Sequence, residues 1–202
     1  MKIFNNIPKF GIALTLITAP FLSNAANQLE KEPTQDVYVA KTPSVKGSND
    51  SIFIAKAPSP AIKIQGKMKN AKFVVDLSSN ILYKYDNDGN PETAYLVASG
   101  KKSTPTHKGV RIVTHVETYP YNMAPKYSKR RRNPSEYGPQ IICVNKLDPK
   151  TGAQSPTGEF IHGNNDPESL GKYSSHGCIR MDNEIIQELA KEVKAGDIVI
   201  LQ

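Results

Sequence analysis

From residue 72 onward the chain is written as short β-rich runs separated by polar turns, and that rhythm limits the possible folds more than any other feature. Residues 72–77 read KFVVDL, Ser78, Ser79 and Asn80 supply a turn, and Ile81–Tyr85 reads ILYKY. Residues 86–90 (DNDGN) are rich in Asp, Asn and Gly, the types that close tight hairpins. Further strand-like runs fall at 93–99, 109–115 and 139–144. Short strands at this spacing suit a sandwich or barrel, not a helical bundle. One helix breaks the rhythm near the end. Asp182 stands where a cap is needed, and Ile185, Ile186, Leu189, Ala190 and Val193 share one face at helical spacing. Gly196 closes it, and a last strand, Ile198–Leu201, follows. The expected class is mainly β, sandwich- or barrel-like, with one helix in the C-terminal half. Hydrophobic residues make up 38% of the chain, enough for a core, but Trp is absent, so that core must rest on Val, Ile, Leu, Phe and Tyr.

The first residues follow other rules. Lys2 and Lys9 precede an apolar run, FGIALTLITAPFL at 10–22, and Ser23, Asn24 and Ala25 end it with small residues. Charged start, short apolar centre and small-residue exit describe a secretory signal peptide cut after Ala25. The run is short for a bilayer span, which takes about 20 residues. Residues 26–66 scatter Pro33, Pro43, Pro58 and Pro60 among Lys, Ser, Asn and Thr, and read as a flexible linker. Losing Lys2 and Lys9 lowers the formal charge from +7 to +5. A basic exported protein meets anionic envelope surfaces before it meets nucleic acid, so the expected location is the periplasm or cell envelope.

Residues 115–139 hold Pro120, Pro125 and Pro134, four tyrosines, and the basic run Lys129–Arg132. A long loop over a cleft and a plain solvated surface loop fit equally well. The basic run reads either as a solvated face or as an attractor for anionic polymers and carboxylates.

The chemistry concentrates in SPTGEFIHGNNDPESLGKYSSHGCIR at 155–180. There are two cysteines in the chain. Pairing is the default in an exported protein. Cys143, inside the apolar run IICV, reads as a core thiol, and Cys178, after Ser175, His176 and Gly177, reads as a nucleophile that a disulfide would mask. His162 and Gly163 lie at the end of an apolar pair, sixteen residues before Cys178. Arg180 follows Cys178 by two, which on a strand puts both on one face. A thiol attacks a carbonyl as its anion. An imidazole can take the proton, a guanidinium favours the anion, and Gly177 frees the backbone to aim N–H groups at an oxyanion. Cys178 is thus the expected nucleophile and His162 the base. Ser175, Gly177 and Gly163 are the expected orienting or oxyanion set. His107 and His115 read as ordinary. A zinc site from His162, His176 and Cys178 lacks a further ligand.

The string HGNNDPESLGKYSSHGCIRM resembles the signature of the L,D-transpeptidase catalytic domain, also called YkuD. Residues 73–77 look like its opening strand. Thr104, Pro105, Thr106 and Gly109 look like its Thr-Pro-Thr-x-x-Gly segment, and 196–200 resembles its end. Pro156, Thr157, Gly158 and Phe160 echo the middle segment a second time. The resemblance covers 71–201. It implies a β-sandwich-like fold; the segment from about 115 to 155 looks longer than the family's usual connection and is expected as a long loop near the active site, and no cofactor or metal is expected. It also implies a Cys acyl-enzyme formed at the third residue of a peptidoglycan stem. Transfer to a second stem amine gives a 3→3 crosslink; transfer to an envelope protein amine anchors that protein. His176 is then the second histidine of the box, with an orienting role, Arg180 faces a substrate carboxylate, and carbapenems acylate Cys178. Two other readings stand beside transfer to an amine: an L,D-carboxypeptidase or hydrolase of protein–wall links that uses water, and a non-catalytic wall-binding protein. The chain is expected to act as a monomer.

Overall fold

A computed structural model describes residues 36–40 and 54–202. The expected signal peptide, and most of the linker, lie outside them. In chain order the strands are β1 (Asp36–Ala40), β2 (Ile54–Lys56), β3 (Ala61–Ile64), β4 (Lys67–Asn70), β5 (Phe73–Asp76), β6 (Ile81–Tyr85) and β7 (Pro91–Leu96). They continue with β8 (Ser99–Gly100), β9 (Gly109–Thr118), β10 (Gln140–Leu147), β11 (Gln154–His162), β12 (Tyr173–Ser175), β13 (Ile179–Arg180) and β14 (Ile198–Leu201). The helices are α1 (Lys129–Arg132) and α2 (Asn183–Glu192).

Ten strands form one curled sheet in the order β13-β11-β10-β9-β14-β5-β6-β7-β1-β2. Alternation along each strand builds a core on both faces. Phe73, Val75, Leu82, Val113, Ile142, Val199 and Leu201 face one way and pack under Ile185, Ile186 and Leu189 of α2. Val74, Tyr83, Tyr85, Val110 and Ile198 face the other, with Ile64 of the β3–β4 hairpin. The mainly β expectation holds. Asp182 caps α2, accepting from the Glu184 and Ile185 amides at 2.9 and 3.3 Å.

Two expectations need correction, and one open alternative is decided. Residues 57–66, read as the end of the linker, are packed: Ala57 and Ile64 are buried, and Tyr85 donates its hydroxyl to the Pro58 carbonyl. Apolar alternation there is only four residues long, too short to register against the surrounding Pro, Lys and Ser. The strand that presents His162 starts at Gln154, far earlier than its apolar end suggests, because residues 154–159 are polar and mostly exposed. And residues 119–138 are not a plain surface loop. They form a lid: Tyr121 and Ala124 are buried with Ile141 and Cys143, and Tyr137 and Phe160 pack on that cluster.

Candidate active site

Two pieces of chain separated by sixteen residues meet through strand pairing. β11 runs parallel to β13, with Ile161 opposite Ile179 and His162 opposite Arg180. The Met181 amide donates to the His162 carbonyl at 2.8 Å and continues that pairing. On its far side β13 is held by Ala98, which exchanges two 2.9 Å hydrogen bonds with Arg180. Ile161 and Ile179 enter the core, so His162 and Arg180 point to the opposite face. Cys178, two residues before Arg180, looks the same way. His162, Ser175, His176, Cys178 and Arg180 line one cleft, with Lys129, Glu136 and Tyr137 of the lid as its other wall.

The turn before Cys178 is held from inside. Ser175 is fully buried; its Oγ donates to the Cys178 carbonyl at 2.6 Å and accepts from the Gly177 amide at 3.0 Å. Gly177 has φ of +115°, a conformation a side chain would strain. Thr106 Oγ1 donates to the Gly177 carbonyl at 2.8 Å and accepts from the Gly100 amide at 2.9 Å. Thr104 Oγ1 donates to the Ser175 carbonyl at 3.2 Å. The Thr104–Pro105–Thr106 segment thus buttresses the cysteine turn. Its echo at 156–160 plays a different part: it is the irregular start of β11, and the Gly158 carbonyl lies 4.0 Å from Cys178 Sγ.

His162 is 3% exposed. Its Nδ1 bonds the Gly163 carbonyl, which can only accept, so Nδ1 carries the hydrogen and Nε2 is left as the base. The Tyr137 ring lies 4.8 Å from the imidazole, centroid to centroid. Burial pushes His162 down to about 4, and the nearby Arg180 adds to the shift against the Gly163 bond. Gly163 has no room for a side chain: an added Cβ would stand 2.3 Å from Asn183 Oδ1. That Asn183 oxygen accepts from the Asn164 amide at 2.9 Å, and its Nδ2 donates to the Asn164 carbonyl at 2.9 Å. The first residue of α2 therefore clamps the end of β11. Sequence reading missed Asn183, because a polar residue after a cap is unremarkable until the fold stacks it on Gly163.

Cys178 is half-buried and free, as is Cys143, which is buried. Burial raises the Cys178 thiol above its ordinary value; the Phe160 amide, Arg180 and Lys129 pull it back, and Glu159 opposes them. The resting pair is then a neutral thiol and a neutral imidazole. Of the other expected residues, Gly177 does not offer its amide to an oxyanion here, since Ser175 Oγ holds it. His176 is exposed on the cleft, and its ring makes no hydrogen bond among the described residues. Arg180 faces the cleft and forms no ion pair among the described residues.

The basic run divides by role. Arg130 reaches down to Glu117, which is 2% exposed, with Nε–Oε2 of 2.7 Å and Nη2–Oε1 of 2.9 Å, and stacks 5.0 Å above the Phe160 ring. His115 Nε2 meets the same carboxylate at 3.2 Å. His115, Glu117 and Cys143 lie close enough to suggest a metal site. Arg130 occupies both oxygens of Glu117, and burial pushes the Cys143 thiol up to about 12, so the cluster is better described as an ion-pair network under the lid.

Fold and site together define a mainly β protein with a cysteine–histidine pair in a lidded cleft. The chain belongs to the L,D-transpeptidase catalytic domain (YkuD) family, whose model matches residues 70–201. It is 51% identical over 201 residues to a Bacillus subtilis protein, YkuD, whose L,D-transpeptidase activity is an assignment; the match covers 96% of this chain and 95% of that one. It is 30% identical over 126 residues to the similarly assigned YkuD of Bacillus licheniformis, covering 62% of this chain and 61% of the relative. The chain thus spans about three fifths of that relative's length. Bd1075 of Bdellovibrio bacteriovorus shares the fold, with a TM-score of 0.50 and 20% identity over 72% of this chain and 53% of that one.

Proposed function

We propose that this protein is a peptidoglycan L,D-transpeptidase working through a thioester on Cys178. The observation that carries the reading is the β11–β13 pairing, which sets the His162 imidazole and the Cys178 thiol in one cleft. His162 Nε2 takes the thiol proton as sulfur attacks the carbonyl of the third stem residue. The amide C–N bond breaks, and the same proton leaves on the departing amine of the terminal residue. A second amine then attacks the thioester, loses a proton to His162, and returns the thiol. Arg180 is suited to a donor carboxylate. The acceptor is an amine of a second stem or of an envelope protein. No cofactor takes part in these steps.

The chain fits export by a signal peptide cut after Ala25 and action in the periplasm or envelope. N-terminal sequencing of the secreted protein tests this, and an intact Met1 overturns it.

Incubation with purified tetrapeptide stems, read by mass spectrometry, tests the reaction. Crosslinked dimers support the proposal. Tripeptide alone shows that water is the acceptor, making the protein an L,D-carboxypeptidase. Turnover that survives Cys178→Ala overturns the mechanism.

A further inference from the structure

Buried residues hold the lid down, while its exposed ones have no part in the cleft. Five large hydrophobic side chains stand exposed among the described residues, and three of them, Tyr119, Met123 and Tyr127, belong to the lid. Met123 is 71% and Tyr127 is 77% exposed. One exposed apolar side chain is ordinary, but three in so short a segment mark a contact surface.

The same segment is basic. Residues 119–134 hold five Lys and Arg and no Asp or Glu. Two of these cations are engaged elsewhere: Arg130 is bound bidentately by buried Glu117, and Lys129 lines the cleft. Lys126, Arg131 and Arg132 remain exposed, and none pairs with a carboxylate among the described residues. Lys126 Nζ lies 5.7 Å from the centre of the Tyr127 ring, so a cation and an exposed ring stand together. The backbone beneath them is fixed. Ala124 is buried, its carbonyl accepts from Arg131 Nη1 at 3.2 Å, and Tyr121 donates its hydroxyl to the Gly138 carbonyl.

We propose that the exposed part of the lid docks on an anionic phospholipid surface. Tyr119, Met123 and Tyr127 enter the interface, and Lys126, Arg131 and Arg132 meet the phosphates. An anionic polymer would satisfy the cations and give Met123 no apolar medium. A bilayer surface takes both, since tyrosine rings settle at headgroup level and cations gather at anionic headgroups. Docking of this kind stands on the surface chemistry and not on the reaction at Cys178.

The test is co-sedimentation of the secreted protein with two kinds of vesicle, phosphatidylcholine alone and an equimolar mixture with phosphatidylglycerol. The protein should bind the mixed vesicles, bind phosphatidylcholine weakly, and be released by added salt. Lys126→Gln and Arg132→Gln should each weaken binding about fivefold. The chain has no Trp, so Met123→Trp makes its emission a clean reporter of that position. The emission should shift to the blue on mixed vesicles. These sites are exposed, so all three variants should unfold in urea at the wild-type midpoint. No binding to mixed vesicles, unchanged binding in both charge variants, or unshifted emission from vesicle-bound Met123→Trp would overturn the inference. Binding to isolated cell walls without binding to vesicles would assign the surface to a wall polymer and overturn it as well.

Discussion

His162 and Arg180 are register partners across two parallel strands, so a base and a cation that lie eighteen positions apart in the chain stand side by side. The arrangement sets the protonation of the site. Burial and the guanidinium both disfavour imidazolium, and the Gly163 carbonyl selects the tautomer with its hydrogen on Nδ1.

His162 ties stability to pH. Its folded value, about 4, lies below the ordinary histidine value of 6.5, so its share of stability is complete above about pH 6.5 and is lost as pH falls toward 4. That share is on the order of 3 kcal/mol. Chemical denaturation between pH 7 and 4 should show this slope in the wild type and a shallower one in His162→Gln. Equal slopes would mean that the ring is not held neutral.

The two thiols should separate cleanly. Cys178 lines the open cleft, whereas Cys143 is buried and pushed up to about 12. Iodoacetamide on native protein should modify Cys178 alone, with a rate that keeps rising above pH 8 because its thiol is raised. Cys143 should react only after unfolding. A plateau below pH 8 would indicate a resting thiolate instead.

The Glu117–Arg130 pair should respond unequally to removal of either partner. The Glu117 side chain is 1% exposed and Arg130 is 15% exposed. Arg130→Met strands a buried carboxylate and should destabilise by about 3 kcal/mol or more. Glu117→Gln leaves a cation that can turn to water, and should cost less. Urea denaturation of both variants gives the order, and the reverse order would contradict the burial.

Thr106 joins Gly100 to Gly177 through one hydroxyl. Thr106→Val keeps the shape and removes both hydrogen bonds. It should lower stability by about 1–3 kcal/mol, since the amide and carbonyl it serves are buried. The acylation rate should fall as well, because the cysteine turn loses its support. Unchanged acylation would limit Thr106 to stability.

Much of the fold is legible in the amino-acid sequence. The strand rhythm of 72–85, the Asp182 cap and the apolar face of Ile185, Ile186 and Leu189 are local signals, and local backbone preference and burial periodicity place them without tertiary context. Cys178 is marked by its own neighbours, since Ser175 and Gly177 act within three residues of it. The lid is not legible in this way. Arg130 and Lys129 look alike in the chain, and only folding sends one down to Glu117 and the other to the cleft. The two Thr-Pro-like segments are indistinguishable until packing sets one against the cysteine turn and puts the other at the start of β11. Sequence alone singled out the residues proposed to carry the chemistry, because residue type and short spacing hold that information. The tertiary structure alone decided what they face, because the pairing of β11 with β13 and the seating of the lid depend on contacts between segments far apart in the chain.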